Sequence, residues 1–175
     1  KRIAEKQFYY SSFSLRSDRN KTRELGGYYL YKHFDNTAQL STTSSDLNWT
    51  VLRYAEVLLT LAEASNEANG PTAVAYDAVN AVRKRAELPE LKGLSKEELR
   101  EAIWRERWYE LSFENKTWYD MVRLRKAFNV TTKKFENYVG HKFSYGPTLK
   151  DRELLFPIPT AEIRNNSKLK QNPGY

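Results

Sequence analysis

The chain has 175 residues, 40% of them hydrophobic and 14% aromatic, and 29 Lys and Arg against 22 Asp and Glu give it a net charge of +7. That is enough apolar material for a sizeable core, so wholesale disorder is excluded, and no apolar run reaches the roughly 18 residues a membrane-spanning helix needs. With no cysteine and two histidines, a disulfide scaffold, a cysteine nucleophile and thiolate or histidine-rich metal sites are excluded as well.

Residues 1–49 read as irregular and turn-rich. Tyr9-Tyr10-Ser11-Ser12-Phe13 is an aromatic patch among hydroxyls, Gly26-Gly27 breaks the chain, and Tyr28 to Phe34 reads as a short strand of β-prone aromatics. Residues 36–48 are polar and loop-like.

The first strong helix covers residues 50–69. Val51, Ala55, Leu58 and Ala62 form one apolar stripe; Tyr54, Val57, Leu61, Ala64 and Ala68 form a second; Arg53, Glu56, Thr60, Glu63 and Glu67 form the polar one. Two apolar stripes predict two packing neighbours. Asn69-Gly70-Pro71 ends the helix, and a second helix follows over 72–86 with Ala75, Val79, Val82 and Ala86 on one face. Helix, three-residue turn, helix is an αα-hairpin, the unit of tetratricopeptide arrays, and one hairpin cannot bury its faces alone.

Ser95-Lys96-Glu97-Glu98 is a capping box that starts a third helix over 95–114. Leu99, Ala102, Ile103, Tyr109 and Phe113 line one face, with Glu106 and Glu110 in the same stripe; Trp104, Trp108 and Leu111 line another. A short fourth helix is predicted over 117–126. From Arg123 to Arg152 the chain is basic and aromatic, with eight Lys and Arg against two acids, and reads as a solvated charged loop region. In the tail, Leu154-Leu155-Phe156-Pro157-Ile158-Pro159 must lie extended, because alternate prolines cannot join a central strand.

Four of these segments together resemble the C-terminal part of the SusD/RagB family: Leu52 to Ala64; Val79-Asn80-Ala81-Val82-Arg83-Lys84-Arg85-Ala86; Glu106 to Arg123; and Leu155-Phe156-Pro157-Ile158-Pro159 with the terminal Gln171-Asn172-Pro173-Gly174-Tyr175. They occur in the family's order and rough spacing over residues 50–175. The resemblance implies a mostly α fold of tetratricopeptide-like helical hairpins with long irregular loops and short strands. It divides the chain into an aromatic-rich N-terminal segment, 1–49, and a SusD/RagB-like C-terminal domain, 50–175. It also implies a non-enzymatic lipoprotein on the outer-membrane surface, without cofactor or metal, that captures oligosaccharide for a SusC-like TonB-dependent transporter. Complete members are longer and begin with a lipidated cysteine, and the chain opens at Lys1 with no signal peptide in view, so the expectation is a C-terminal fragment whose partner is the missing N-terminal half of the same protein.

Several residues invite a sharper chemical reading. Glu106 and Glu110, four apart on one helix face, could form a glycosidase pair. Structural carboxylates paired with Arg53, Arg83, Arg85, Arg107 or Arg123 are the better expectation, since buried charges need partners. His33, Asp35 and scattered serines lack a nucleophile elbow. The basic stretch carries no nucleic-acid motif, so no nucleic-acid partner is expected. Trp104, Trp108 and Trp118 fall at helical spacing and read as core. Tyr9, Tyr10, Tyr28, Tyr29 and Trp49 instead sit beside Ser, Asn, Asp and Arg, where a ring can stack on the apolar face of a sugar while polar neighbours take its hydroxyls. They are the candidate ligand-binding residues. Read without the resemblance, residues 50–114 also suit a tetratricopeptide-type scaffold that binds a protein partner.

Overall fold

The structure, a computed structural model, describes residues 9–15 and 18–30 as backbone and residues 32–33 and 47–175 in full. The chain forms two compact units, residues 1–50 and 51–175.

In the first unit, β1 (Tyr9–Leu15) and β2 (Asp18–Leu30) pair antiparallel. The register runs Tyr9 to Leu30 and Tyr10 to Tyr29, then resumes at Ser12 to Glu24. Gly26-Gly27 therefore lies in a bulge inside β2, where an extra stretch is accommodated against Ser11, and does not end the strand. Two expectations are corrected here. Residues 9–15 are strand where irregular chain was expected, and the strand expected over Tyr28–Phe34 begins ten residues earlier, with Lys32-His33 in a turn. The polar run Arg19-Asn20-Lys21-Thr22-Arg23-Glu24 has no apolar alternation to signal a strand; pairing with β1 makes it one. Tyr31 and the loop over 36–46 lie outside the described residues.

In the second unit, α1 (Tyr54–Asn69), α2 (Ala73–Arg85) and α3 (Lys96–Glu110) enclose the first core. It consists of Leu59 and Ala62 from α1, Ala75, Ala78, Val79 and Val82 from α2, and Leu99 and Ile103 from α3, with Leu111 just beyond. The small α2 residues permit close helix approach. Gly70 ends α1 with φ at 81°, a conformation that favours glycine, and its N–H donates to the Asn66 carbonyl at 2.9 Å. Thr72 caps α2, so α1 and α2 form the expected hairpin. The Ser95 box caps α3: Ser95 N–H donates to Glu98 Oε2 at 2.8 Å, and Glu98 N–H to Ser95 Oγ at 3.3 Å.

Two boundaries differ from the expectation. α1 starts at Tyr54 because Arg53 is extended, which lets its guanidinium reach the far end of α3. α3 stops at Glu110, so Tyr109 and Phe113, expected on its buried face, are both exposed, Phe113 in a turn with φ at 66°. The second apolar stripe of α1 is uncovered: Tyr54 is 74% exposed, and Val57, Leu61, Ala64 and Ala68 are exposed as well.

The basic stretch is also corrected. It follows α4 (Thr117–Leu124) as a hairpin of β3 (Lys126–Asn129) and β4 (Lys134–Asn137) and then a folded turn. Its lysines face water, but Ala127, Phe128, Tyr138, His141 and Leu149 are buried. With Met121, Trp108, Trp118, Val122, Phe143 and Leu154, most of these build a second, aromatic core. A 3-10 turn (Asp151–Leu154) and the short helix α5 (Thr160–Asn165) complete the chain. The Pro-rich tail is strapped from behind: Gln171 bonds Ile158 in both directions, Asn172 Nδ2 donates to the Phe156 carbonyl, and Tyr175 OH to the Leu155 carbonyl.

Candidate functional site

The carboxylate pair is settled by its partners. Glu106 Oε2 accepts from Arg83 at 2.7 Å, and Glu110 accepts from Arg53 at 2.7 Å on one oxygen and Arg85 at 2.5 Å on the other. Glu114, which the sequence reading left without a role, accepts from Arg53 Nε at 2.7 Å, and Arg53 Nη2 also donates to the Glu110 carbonyl. Burial pulls the Arg53 guanidinium down, but the bonds from Glu114 and Glu110 outweigh it and hold it above its ordinary value. Arg107 grips Asp120 with two nitrogens, and Arg123 grips Glu63 with two more. All five arginines expected as partners are thus engaged with acids. With both oxygens of Glu110 tied to guanidinium groups, this is an arrangement that joins α1, α2 and α3 and the turn after them, and it presents no free acid to a substrate. The signal for Glu114 was present: it continues the four-residue spacing of Glu106 and Glu110.

Trp104, Trp108 and Trp118, expected in the core from their helical spacing, are half-buried, with Trp108 and Trp118 packed against the second core. Trp104 stands edge-on to Phe135, and its Nε1 donates to Glu63 at 3.2 Å. Trp108 tilts against Phe128, and Trp118 meets Tyr138 edge-on. A cleft beside them is lined by Trp104, Trp108, Met121 and Phe135, with the paired Arg107 and Asp120 and with Lys126 as its charged members.

The candidate ligand-binding residues fall in the first unit. Tyr10 lies directly opposite Tyr29, and Tyr9 opposite Leu30. Tyr28 stands one residue before Tyr29, at the end of the Gly26-Gly27 bulge. The backbone therefore brings Tyr9, Tyr10, Tyr28 and Tyr29 to one end of the hairpin, and β1 holds Tyr9 and Tyr10 in a strand where a loop was expected. Trp49 is outside the hairpin. Its ring stacks on His33 with centroids 4.6 Å apart and planes inclined by 21°, and the residue is 56% exposed. Among the described residues no group of three His, Asp or Glu is placed to hold a metal ion, and no helix is long and apolar enough to cross a membrane. The sequence reading passed over one stacked ring pair in the turn after β4, half-buried Phe143 and exposed Tyr145; the Phe-Ser-Tyr-Gly-Pro run was the available signal.

Comparison with known proteins places this architecture. The family model described as the SusD family matches residues 4–175. A SusD-like protein, P2, of Formosa agariphila is 34% identical over 177 residues, which covers 95% of this chain and 33% of that protein. The crystal structure of a SusD superfamily protein from Parabacteroides distasonis superposes with a TM-score of 0.89 at 38% identity, covering 100% of this chain and 39% of the other. Surface glycan-binding protein A from Bacteroides uniformis shares the fold, with a TM-score of 0.63 at 23% identity over 93% of this chain and 36% of its own. The chain spans about a quarter to a third of the length of the curated relatives it matches.

Proposed function

Since the chain belongs to the SusD family, we propose that it binds glycan without cleaving it, and serves nutrient uptake by holding oligosaccharide at the outer-membrane surface for a SusC-like TonB-dependent transporter. The capture is an equilibrium: aromatic faces and hydrogen-bonding side chains hold the sugar until the transporter takes it, and no bond is broken.

The observation that carries the placement of the sugar is the clustering at one hairpin end. Tyr10 and Tyr29 are cross-strand partners, with Tyr9 and Tyr28 adjacent. Aromatic residues set opposite each other on a paired backbone share one face of the hairpin, which suits stacking on the apolar face of a sugar. Trp49, more than half exposed with His33 behind it, is the fifth member. The tryptophans of α3 and α4 are poorer candidates, since neighbouring rings and Glu63 occupy them.

The uncovered stripe of α1 supports a second contact. Tyr54, Val57 and Leu61 are too large and too regularly spaced to be incidental surface. In this reading the stripe receives the additional length that the SusD-like relatives carry, as helical hairpins cover one another in stacked arrays.

Screening the chain against a glycan array, followed by calorimetric titration of Tyr9→Ala, Tyr10→Ala, Tyr29→Ala and Trp49→Ala with a glycan that binds, tests the placement. Aromatic pairs contribute about 0.5–1.5 kcal/mol beyond area burial, so single replacements weaken binding several-fold and a double replacement more. Unchanged affinity in all four folded variants moves the sugar away from the first unit. Turnover of the bound glycan would make the protein an enzyme and end the capture reading.

A further inference from the structure

The turn between residues 140 and 149 holds an aromatic ring out into water while fixing its orientation. At its base His141 is buried, with Nδ1 2.5 Å from Glu136 Oε1, and Glu136 also accepts from Asn129 Nδ2 at 3.1 Å. The Phe143 ring stands edge-on to His141 at 4.9 Å and packs on the second core. Tyr145 stacks on Phe143, centroids 5.0 Å apart and planes inclined by 15°, yet it is 75% exposed. The backbone beneath is tied at four points. Gly140 N–H donates to the Leu149 carbonyl, Leu149 N–H to His141, Phe143 N–H to Pro147, and Gly146 N–H to Phe143, at 2.9–3.0 Å. Gly146 has φ at 122°, open to glycine and strained for other residues, so the tip of the turn requires it.

One face of Tyr145 is thus covered by Phe143. Among the described residues its hydroxyl makes no hydrogen bond, and Lys142, in the same turn, has no ion-pair partner. The charge of this stretch is predominantly positive. Residues 123–152 carry eight Lys and Arg against Glu136 and Asp151; Arg123 is paired with Glu63 and Asp120, and Arg152 with Glu153, while Glu136 is bound to His141 and Lys142 is exposed. A pre-oriented ring favours flat apolar faces, and an excess of positive charge favours anions.

We propose that Tyr145, backed by Phe143 and flanked by Lys142, is a stacking site for an acidic sugar ring carrying a carboxylate or a sulfate ester. The proposal rests on the glycan-binding reading above and adds a second contact point with a charge preference, on the second unit.

The test uses the full chain on an array of neutral, uronate-bearing and sulfated oligosaccharides, then calorimetry on those captured. The expected result is capture of uronate-bearing or sulfated glycans, with the two arms telling carboxylate from sulfate. Tyr145→Ala and Tyr145→Leu then weaken binding by about three- to tenfold, Tyr145→Trp retains it, and Lys142→Gln makes it less sensitive to added salt. Circular dichroism checks each fold, and Tyr145→Leu keeps apolar bulk at the tip should Tyr145→Ala disturb the turn. Acidic glycans held equally well by the parent and by both folded ring-removing variants overturn this site and leave glycan capture standing. Capture of neutral glycans alone also overturns it. A parent chain that captures no glycan overturns the site and the capture reading together.

Discussion

The core between α1, α2 and α3 is aliphatic throughout, small residues such as Ala62, Ala75 and Ala78 fitting between Leu59, Leu99, Ile103 and Leu111, whereas the core after α4 sets the rings of Tyr138, Trp108, Trp118 and Phe143 around Met121, Ala127 and Leu149. The first draws on helices whose apolar stripes recur every three or four residues. The second draws on α4, on Trp108 of α3, on the β3–β4 hairpin and on the turns after it, and its buried members are separated by charged residues in sequence. Small residues let helices approach until their own backbones fill the space, while short strands and turns cannot approach as closely and need large side chains to close the gaps. Ion pairs serve both regions differently. Glu106, Glu110 and Glu114 and their arginines knit the first core across long sequence separations, while beside the second the Arg107–Asp120 and His141–Glu136 pairs accompany ring contacts and the bond from Tyr138 OH to the Glu153 carbonyl at 3.0 Å.

The comparison can be broken most directly at one large residue from each core. Leu59→Ala costs about 2–5 kcal/mol and Tyr138→Ala about 3–5 kcal/mol in chemical denaturation. Both cores belong to one compact unit, so far-UV circular dichroism, which follows the helices, and tryptophan fluorescence, which follows Trp104, Trp108 and Trp118, should give coincident transitions in each variant. Two separated transitions in Tyr138→Ala would make the cores independent.

Glu110→Ala follows. It takes the carboxylate from Arg85 and one of two from Arg53, which keeps Glu114 at 2.7 Å, so the loss stays below the about 3–5 kcal/mol of a fully broken buried pair, the more so because Arg85 is 59% exposed and returns to water. A melting temperature equal to that of the parent would show that the network contributes nothing to the first core. Ser95→Ala removes the oxygen that caps α3 and costs about 1 kcal/mol, with no change at the second core; tryptophan fluorescence of the native state should be unaltered.

The smallest expected effect sharpens the comparison through pH. The bond from His141, and then that from Asn129, holds the Glu136 carboxyl below its ordinary value of 4.5. A depressed folded-state value means that this contribution is complete above pH 4.5 and is lost as pH falls through the lowered value. Denaturation midpoints of the parent and of Glu136→Gln should converge below that point and differ above it. Equal midpoints at every pH would remove His141–Glu136 from the account of the second core.

Much of the helical unit was legible in advance. The Gly70 break, the α2 face and the Ser95 box stand where the spacing put them, and of the arginines offered to Glu106 and Glu110, Arg53, Arg83 and Arg85 meet them, while Arg107 and Arg123 go to Asp120 and Glu63; on α1, Ala62 is buried as expected, but the fully buried Leu59 lay in neither expected stripe. The uncovered stripe of α1 was legible as a second apolar face, though not what covers it. Legibility failed where a partner lies far away in the chain. Arg19 to Glu24 carry no alternation, so only pairing with β1 makes them strand. Residues 123–152 read as solvated because their charges outnumber the rings between them, yet Phe128, Tyr138 and His141 are buried. The candidate tyrosines were visible as residue types, but nothing in the spacing from 10 to 29 put two of them opposite each other.

By itself the sequence determined the helices, their caps and the need for arginine beside buried carboxylates, because a helix closes each hydrogen bond within four residues and a buried charge demands a partner wherever the chain goes. Only the tertiary structure decided which arginine meets which glutamate, that Gly26-Gly27 bulges inside a strand, and that a basic stretch folds into an aromatic core with Tyr145 at its rim. Strand register, ion-pair choice and ring packing are settled by how the whole chain closes on itself, and a window of neighbouring residues carries none of that information.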